Sequence, residues 1–462
     1  VPTVRAVALG ESRRSTWVRE QYFLTEALPG AEPLGCLLDE WSVGRSRRSP
    51  TWRRRLLREF AELVAAAHRS GVLHNDLHTR NILVSEDTQG VPRLYLIDVP
   101  KVRFGRALDW AASRNNLAMI YSGNLWQFTR TELARLWSIY RANRPELSLP
   151  DPRAAAREVL ERGWDHARFT ARGRDRRALR INREFYHQRN SRGTGYAVTE
   201  VAPATLRAAI ADGAALLHQG LDQPHKLTHG SVVVQTRLPL AAGEIEIAYK
   251  RYRPRNLRKF LQALWRPSRA RESFVRGHAL LARGIPTPRP LLAIAPNGRR
   301  NIGVSYLATT WIQGALNLHL YAWRLSAASA AERGDRCRRA ARSLGKMTGR
   351  LHAWRISHHD LKGCNVLLAD RDDEVQAYLI DLDGIRWHRR LPERKVVENL
   401  ARLAVSAQVH TWIGRGNYLR FLRAYLSYAH RSRADWKPLW RAAARRSAEI
   451  TARLKREEGP LA

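Results

Sequence analysis

Cysteine is scarce: the 462 residues contain only Cys36, Cys337 and Cys364, with no paired or metal-type spacing. That argues against a disulfide framework and fits a reducing compartment on the cytosolic side. Acidic residues are also few, 42 Asp and Glu against 80 Lys and Arg, for a formal net charge of +38. Such a surface draws anionic partners (phosphorylated lipid, acidic sugar or nucleic acid) with an attraction that salt weakens. A genome favouring Arg codons would give the same excess, so charge alone selects no function. No run of about 18 apolar residues is present and the N-terminus shows no charged-apolar-small cleavage pattern, so neither a membrane span nor a signal peptide is expected.

The length exceeds what one compact domain needs, and the chain is organised by an internal repeat at a displacement of 284 residues. Val1-Pro2-Thr3-Val4-Arg5 reads against Ile285-Pro286-Thr287-Pro288-Arg289, and Tyr22, Thr25 and Gly30 fall opposite Tyr306, Thr309 and Gly314. His68, His74, Asp76, Leu77 and Asn81 then meet His352, His358, Asp360, Leu361 and Asn365, and Leu96-Ile97-Asp98 meets Leu379-Ile380-Asp381 after a one-residue slip. The second copy has residues of its own before Ile285 that the first lacks. The Arg-dense stretch from 150 to 195 reads as the end of the first copy's helices and a connector. The expected domains are 1–195, a truncated first copy, and 196–462, with a small lobe over 196–315 and a large lobe over 316–462.

In the second copy, Val232 to Thr236 and Ile245 to Tyr252 read as strands about a turn at Ala242-Gly243, because β-branched and aromatic residues cluster there. Ala270 to Leu281 reads as a helix, Val304 to Trp311 as a strand, and Ala328 to Trp354 carries helical spacing of Ala340, Leu344, Met347 and Leu351. Beyond Asp381 the pattern is mostly helical. Strands first and helices after predict an α+β, two-lobed layout.

The chemistry-bearing motif is His358-His359-Asp360-Leu361-Lys362-Gly363-Cys364-Asn365, followed by apolar Val366-Leu367-Leu368 and then Tyr378-Leu379-Ile380-Asp381. It resembles the kinase catalytic loop and metal-binding strand, with the Asp-to-Asn spacing kept. Phosphoryl transfer needs an acceptor hydroxyl held in line and its proton taken up, which makes Asp360 the candidate base or orienting carboxylate. Lys362 would neutralise charge on the transferred group. Asn365 and Asp381 would hold Mg²⁺ through hard oxygen donors, bridging the phosphates of ATP, with Asp383 as an extra ligand or substrate contact. Lys250 is expected to grip the phosphates from a small-lobe strand, paired with Glu272 on the next helix. Lys226 to Ser231 stands where a phosphate-covering loop belongs, with Gly230 allowing close backbone approach beside Ser231.

The first copy keeps Asp76, Asn81 and Asp98 at the base and metal positions, with His78 in place of the Lys. Without small-lobe strands, the lysine or its glutamate, it is expected to form no complete nucleotide cleft. It is then a regulatory or scaffolding relic, or an active domain whose front end lies upstream of Val1.

Together Gly284-Ile285-Pro286-Thr287-Pro288-Arg289-Pro290, the His358 to Asn365 loop and Leu379-Ile380-Asp381-Leu382-Asp383 resemble the lipopolysaccharide kinase family of Gram-negative bacteria. The likeness covers most of residues 200 to 430 and, truncated, 1 to 150. The resemblance implies two tandem protein-kinase-like domains, the first lacking its N-terminal lobe. It also implies ATP with Mg²⁺ as donor and a Kdo or heptose hydroxyl on a lipid-linked oligosaccharide as acceptor. The site of action would be peripheral, at the anionic inner face of the inner membrane. The 17 residues between Asp381 and Asn399 leave little room for an activation segment, and no Ala-Pro-Glu follows, which agrees with a non-protein acceptor. The rival readings are a Ser/Thr protein kinase or small-molecule phosphotransferase, and a pseudokinase binding anionic membrane or nucleic acid. Nucleic acid has only charge behind it.

Overall fold

The computed structural model describes residues 1–42, 44–220, 226–228, 230–298, 301–372 and 374–458. Contacts divide the chain into two units, Val1–Thr170 and Ala171–Ala462, each mixing helix and sheet.

The second unit begins with a small lobe built on a seven-stranded antiparallel sheet. Its strands run in the order Lys226–Thr228, Ser231–Leu240, Gly243–Tyr252, Ser305–Thr310, Pro290–Pro296, Gly193–Val198 and Phe185–Asn190. Alternating Val232, Val234 and Leu238 face Ile247, Tyr249, Leu307 and the helix residue Phe274 in one buried cluster, the period-2 pattern of a half-covered sheet. The helix Arg269–Leu281, capped by Ser268, packs on this sheet. One expectation is corrected here. The hairpin formed by Phe185–Asn190 and Gly193–Val198 pairs with Pro290–Pro296, so these residues belong to the second unit and the boundary falls at 170/171 instead of near 195. Sequence reading also passed over the short helix Leu257–Trp265.

In the large lobe, the helix Ala330–Ala353 crosses Arg415–Tyr428 at close range: a Cβ on Gly345 would lie 2.4 Å from Phe421 O, and one on Gly349 2.8 Å from Tyr425 O. Strands Val366–Arg371 and Glu374–Leu379 pair beneath that helix, and Glu393–Gln408 and Trp436–Glu458 complete the lobe.

The first unit repeats the large-lobe plan. Helix Pro50–Arg69, capped by Ser49 with Pro50 at its first position, buries Leu56, Phe60, Leu63 and Val64. Strands Ile82–Glu86 and Pro92–Leu96 pair, and helices Trp110–Gly123 and Arg130–Ala142 follow. The expectation that this copy has no small-lobe strands is corrected: Ala6–Arg14 and Trp17–Thr25 form an antiparallel hairpin at the repeat positions of Pro290–Pro296 and Ser305–Thr310. Nearly all of its residues are exposed, Trp17 to 80%, because no further strand or helix lies on it among the described residues.

Candidate active site

A strained turn and the His358 to Asn365 loop meet at one histidine. Asp381 has φ 59°, the left-handed region, and opens a tight turn over Leu382–Gly384. His358 is buried, and the Asp360 backbone N–H donates to its Nδ1 at 3.2 Å. That contact makes Nδ1 an acceptor, so Nε2 carries the proton and donates to Asp381 O at 3.0 Å. Burial pushes the imidazole pKa down, which keeps this neutral tautomer. A Cβ on Gly384 would lie 2.6 Å from the ring, so glycine is required there.

Asn399 fixes the same loop from the large-lobe helix. Its Oδ1 accepts from His358 N at 3.1 Å, and its Nδ2 donates to His358 O at 2.6 Å. His352 lies within 3.2 Å of that Oδ1 through Nε2 and within 2.9 Å of Tyr425 Oη through Nδ1. Burial pushes the His352 pKa down to about 4.

The carboxylate of Asp360 is gripped by two cations, Lys362 Nζ at 3.0 Å and Arg402 Nη1 at 3.1 Å. The hydrogen bond to Asp360 raises the Lys362 pKa. Asn365 Nδ2 donates to Asp360 O at 2.8 Å and to Oδ2 at 3.3 Å, leaving the amide Oδ1 as its donor oxygen toward a cation. Lys250 Nζ reaches across to Asp381 Oδ1 at 2.8 Å and lies 4.6 Å from the Tyr252 ring centroid. Burial alone would lower its pKa, but Tyr252, Asp381 and Asp383 together raise it. The structure thus brings Asp360, Lys362, Asn365, Asp381 and Lys250 into one linked cluster.

The remaining expectations fare differently. The Lys250–Glu272 pair is not formed: Glu272 binds Arg276 Nη2 at 2.8 Å, one turn along its own helix, and Asp381 takes the lysine. The helix is tied to the site through Asp383 instead, which accepts from Ser273 Oγ at 3.1 Å and pairs with Arg269. Asp383 is therefore a strut between lobes. A Cβ on Gly230 would lie 2.2 Å from Arg255 Nε, so this glycine admits an arginine side chain, and Ser231 is buried in the strand that follows. His229, in the expected phosphate-covering segment, lies outside the described residues. Sequence reading missed Arg402, Gly384 and Arg269. For Arg402 a signal existed, since it lies three residues after Asn399 on the same helical face.

The first unit reproduces the scaffold. His68 lies 2.9 Å from Tyr140 Oη and 3.3 Å from Asn116 Oδ1, and Asn116 Nδ2 donates to His74 O at 3.0 Å. Asp98 has φ 61°, and Asn81 Nδ2 donates to Asp76 O at 3.0 Å and Asp98 Oδ2 at 3.3 Å. Here Lys101 pairs with Asp76 and, chiefly through that hydrogen bond, lowers the pKa of its carboxyl. Repeat positions for Lys250 and Glu272 would precede Val1.

The profile of the "Lipopolysaccharide kinase (Kdo/WaaP) family" matches residues 1–140 and 247–425, well over half of the chain and both copies of the loop. The chain belongs to the lipopolysaccharide kinase family. A solved structure titled "WaaP in complex with acyl carrier protein" is similar at 20% identity with a TM-score of 0.35, covering 51% of this chain and 88% of that chain. No curated protein matches. Membership in the Kdo/WaaP family makes the chain an ATP-dependent kinase with a lipopolysaccharide-related substrate. The family also implies a divalent cation. Among the described residues no group of three or more His, Cys, Asp or Glu is placed to hold one. Asn365 and Asp381 fit a hard cation whose shell is completed by phosphate and water oxygens.

Proposed function

We propose that the second unit transfers the γ-phosphoryl group of ATP to a Kdo or heptose hydroxyl of the lipopolysaccharide inner core, acting peripherally at an anionic membrane face. The observation that carries this reading is the linked cluster of Lys250, Asp360, Asn365 and Asp381 inside the matched family region. Asp360 accepts the proton as the sugar oxygen bonds to phosphorus and the bond to the ADP oxygen breaks. Lys362 and Arg402, already on Asp360, lie where charge on the transferred group develops. Lys250, held on a strand whose register is fixed by Val233 and Leu307, serves the phosphates from the small lobe. Mg²⁺, held by Asn365 and Asp381, would neutralise phosphate charge and orient the nucleotide. The first unit is read as a second kinase-like copy in which Asp76, Asn81 and Asp98 have no strand lysine opposite them among the described residues.

The test is transfer of labelled γ-phosphate from Mg-ATP to purified lipopolysaccharide precursors and to a generic protein. Glycolipid labelling should fall about 10²–10⁴-fold in Asp360→Ala. Undiminished labelling in the variant, or label only in protein, would refute the assignment.

A further inference from the structure

The helix Leu257–Trp265, between the lysine strand and helix Arg269–Leu281, has an unusual surface. Leu257, Leu261, Leu264 and Trp265 recur at i, i+4, i+7 and i+8 and therefore share one face; they are 72%, 51%, 49% and 87% exposed. Phe260 and Ala263 are half-buried on the inward side. Between Glu246 and Glu272 the sequence holds no acidic residue, while Arg255, Arg258, Lys259 and Arg266 on or beside the helix are exposed. None of these four makes an ion pair among the described residues. Against the helix lies a cavity of about 790 Å³ lined by Arg253, Lys259, Arg266, Arg276 and Arg386. Its two carboxylates, Asp383 and Glu272, are already taken by Arg269 and Arg276.

We propose that Leu257–Trp265 is an interfacial docking helix that inserts its Leu and Trp side chains into an anionic lipid bilayer while the basic basin beside it takes phosphate-bearing headgroups. Charge complementarity selects this occupant. An apolar stripe ending in Trp and flanked by unpaired Arg and Lys fits the boundary between acyl chains and anionic headgroups. Four side chains on nine residues are too small a patch for a stable protein interface. The helix ends four residues before Arg269, the arginine that holds Asp383 beside Asp381, so docking brings the lipid surface next to the nucleotide lobe. The inference deepens the reading of a lipid-linked acceptor, but the binding it describes needs no turnover.

The full chain is sedimented with vesicles of phosphatidylglycerol and phosphatidylethanolamine, and with neutral phosphatidylcholine vesicles, across a salt series. Expected is binding to the anionic vesicles that weakens with salt and drops about tenfold or more in Leu261→Asp. Trp265→Gln, a mild change at an 87% exposed site, should reduce it severalfold with an unchanged melting temperature. Trp323→Asp, 72% exposed on another helix, is the control and should bind as the parent does. Parent-like binding by both helix variants, equal loss in the control, or equal binding to neutral vesicles would overturn the proposal. Phosphotransfer to detergent-dispersed glycolipid in a protein that fails the vesicle test would refute the docking helix alone; vesicle binding without phosphotransfer would refute the kinase reading alone.

Discussion

Two buried histidines, His68 and His352, and the half-buried His278 bear on how stability depends on pH. Burial holds His68, His278 and His352 at pKa values of about 4, against about 6.5 for an exposed ring. The unfolded chain therefore binds more protons than the native state between pH 4 and 6.5, and stability falls as pH drops through that window. Each ring contributes up to about 3 kcal/mol of that loss. Urea melts at pH 7, 6, 5 and 4 should show a midpoint falling steadily below pH 6.5; a flat midpoint would mean the rings are not held neutral. The residues of the site show how far a motif can be read. Asp360 and Asn365 stand five apart in the chain and meet in space because that spacing belongs to a single loop. Glu272 could not be assigned in this way, because the choice between Lys250 and Arg276 depends on the distance across a cleft.

At the scale of elements, the crossing of Ala330–Ala353 with Arg415–Tyr428 positions the catalytic loop at second hand. Gly345 and Gly349 let the helices approach closely, which brings Tyr425 onto His352, and His352 orients the Asn399 clamp. Gly345→Ala should cost about 1–3 kcal/mol, since the added Cβ meets the backbone carbonyl of Phe421, which cannot yield. That outweighs the gain of about 1 kcal/mol in helix propensity. A chemical denaturation midpoint equal to or above the parent's would contradict it. Helix Ala330–Ala353 was legible from its apolar spacing, whereas hairpin Ala6–Arg14/Trp17–Thr25 was not. Its two strands carry exposed apolar residues on both faces, Val7 and Leu9 with Phe23 and Leu24, so no alternation marks them.

For the whole molecule the two units share a histidine-asparagine-tyrosine scaffold but differ in what faces the carboxylates. Asp360 sits between Lys362 and Arg402 in a unit that also holds Lys250; Asp76 is neutralised by Lys101 in a unit with no strand lysine among the described residues. Asp76→Ala should accordingly leave glycolipid phosphorylation within about twofold of the parent, where Asp360→Ala should lower it about 10²–10⁴-fold. A comparable loss in both variants would make the first unit a partner in turnover.

The sequence by itself determined the repeat, the family, the α+β composition and the loop residues from His358 to Asn365, because each is carried by identity and short-range spacing. Only the tertiary structure decided that Lys250 pairs with Asp381, that Asp383 is a strut to Arg269, and that residues 185–198 join the second unit's sheet. Those outcomes depend on which groups 95 to 131 positions apart are brought within hydrogen-bonding distance, and local pattern carries no information about such distances.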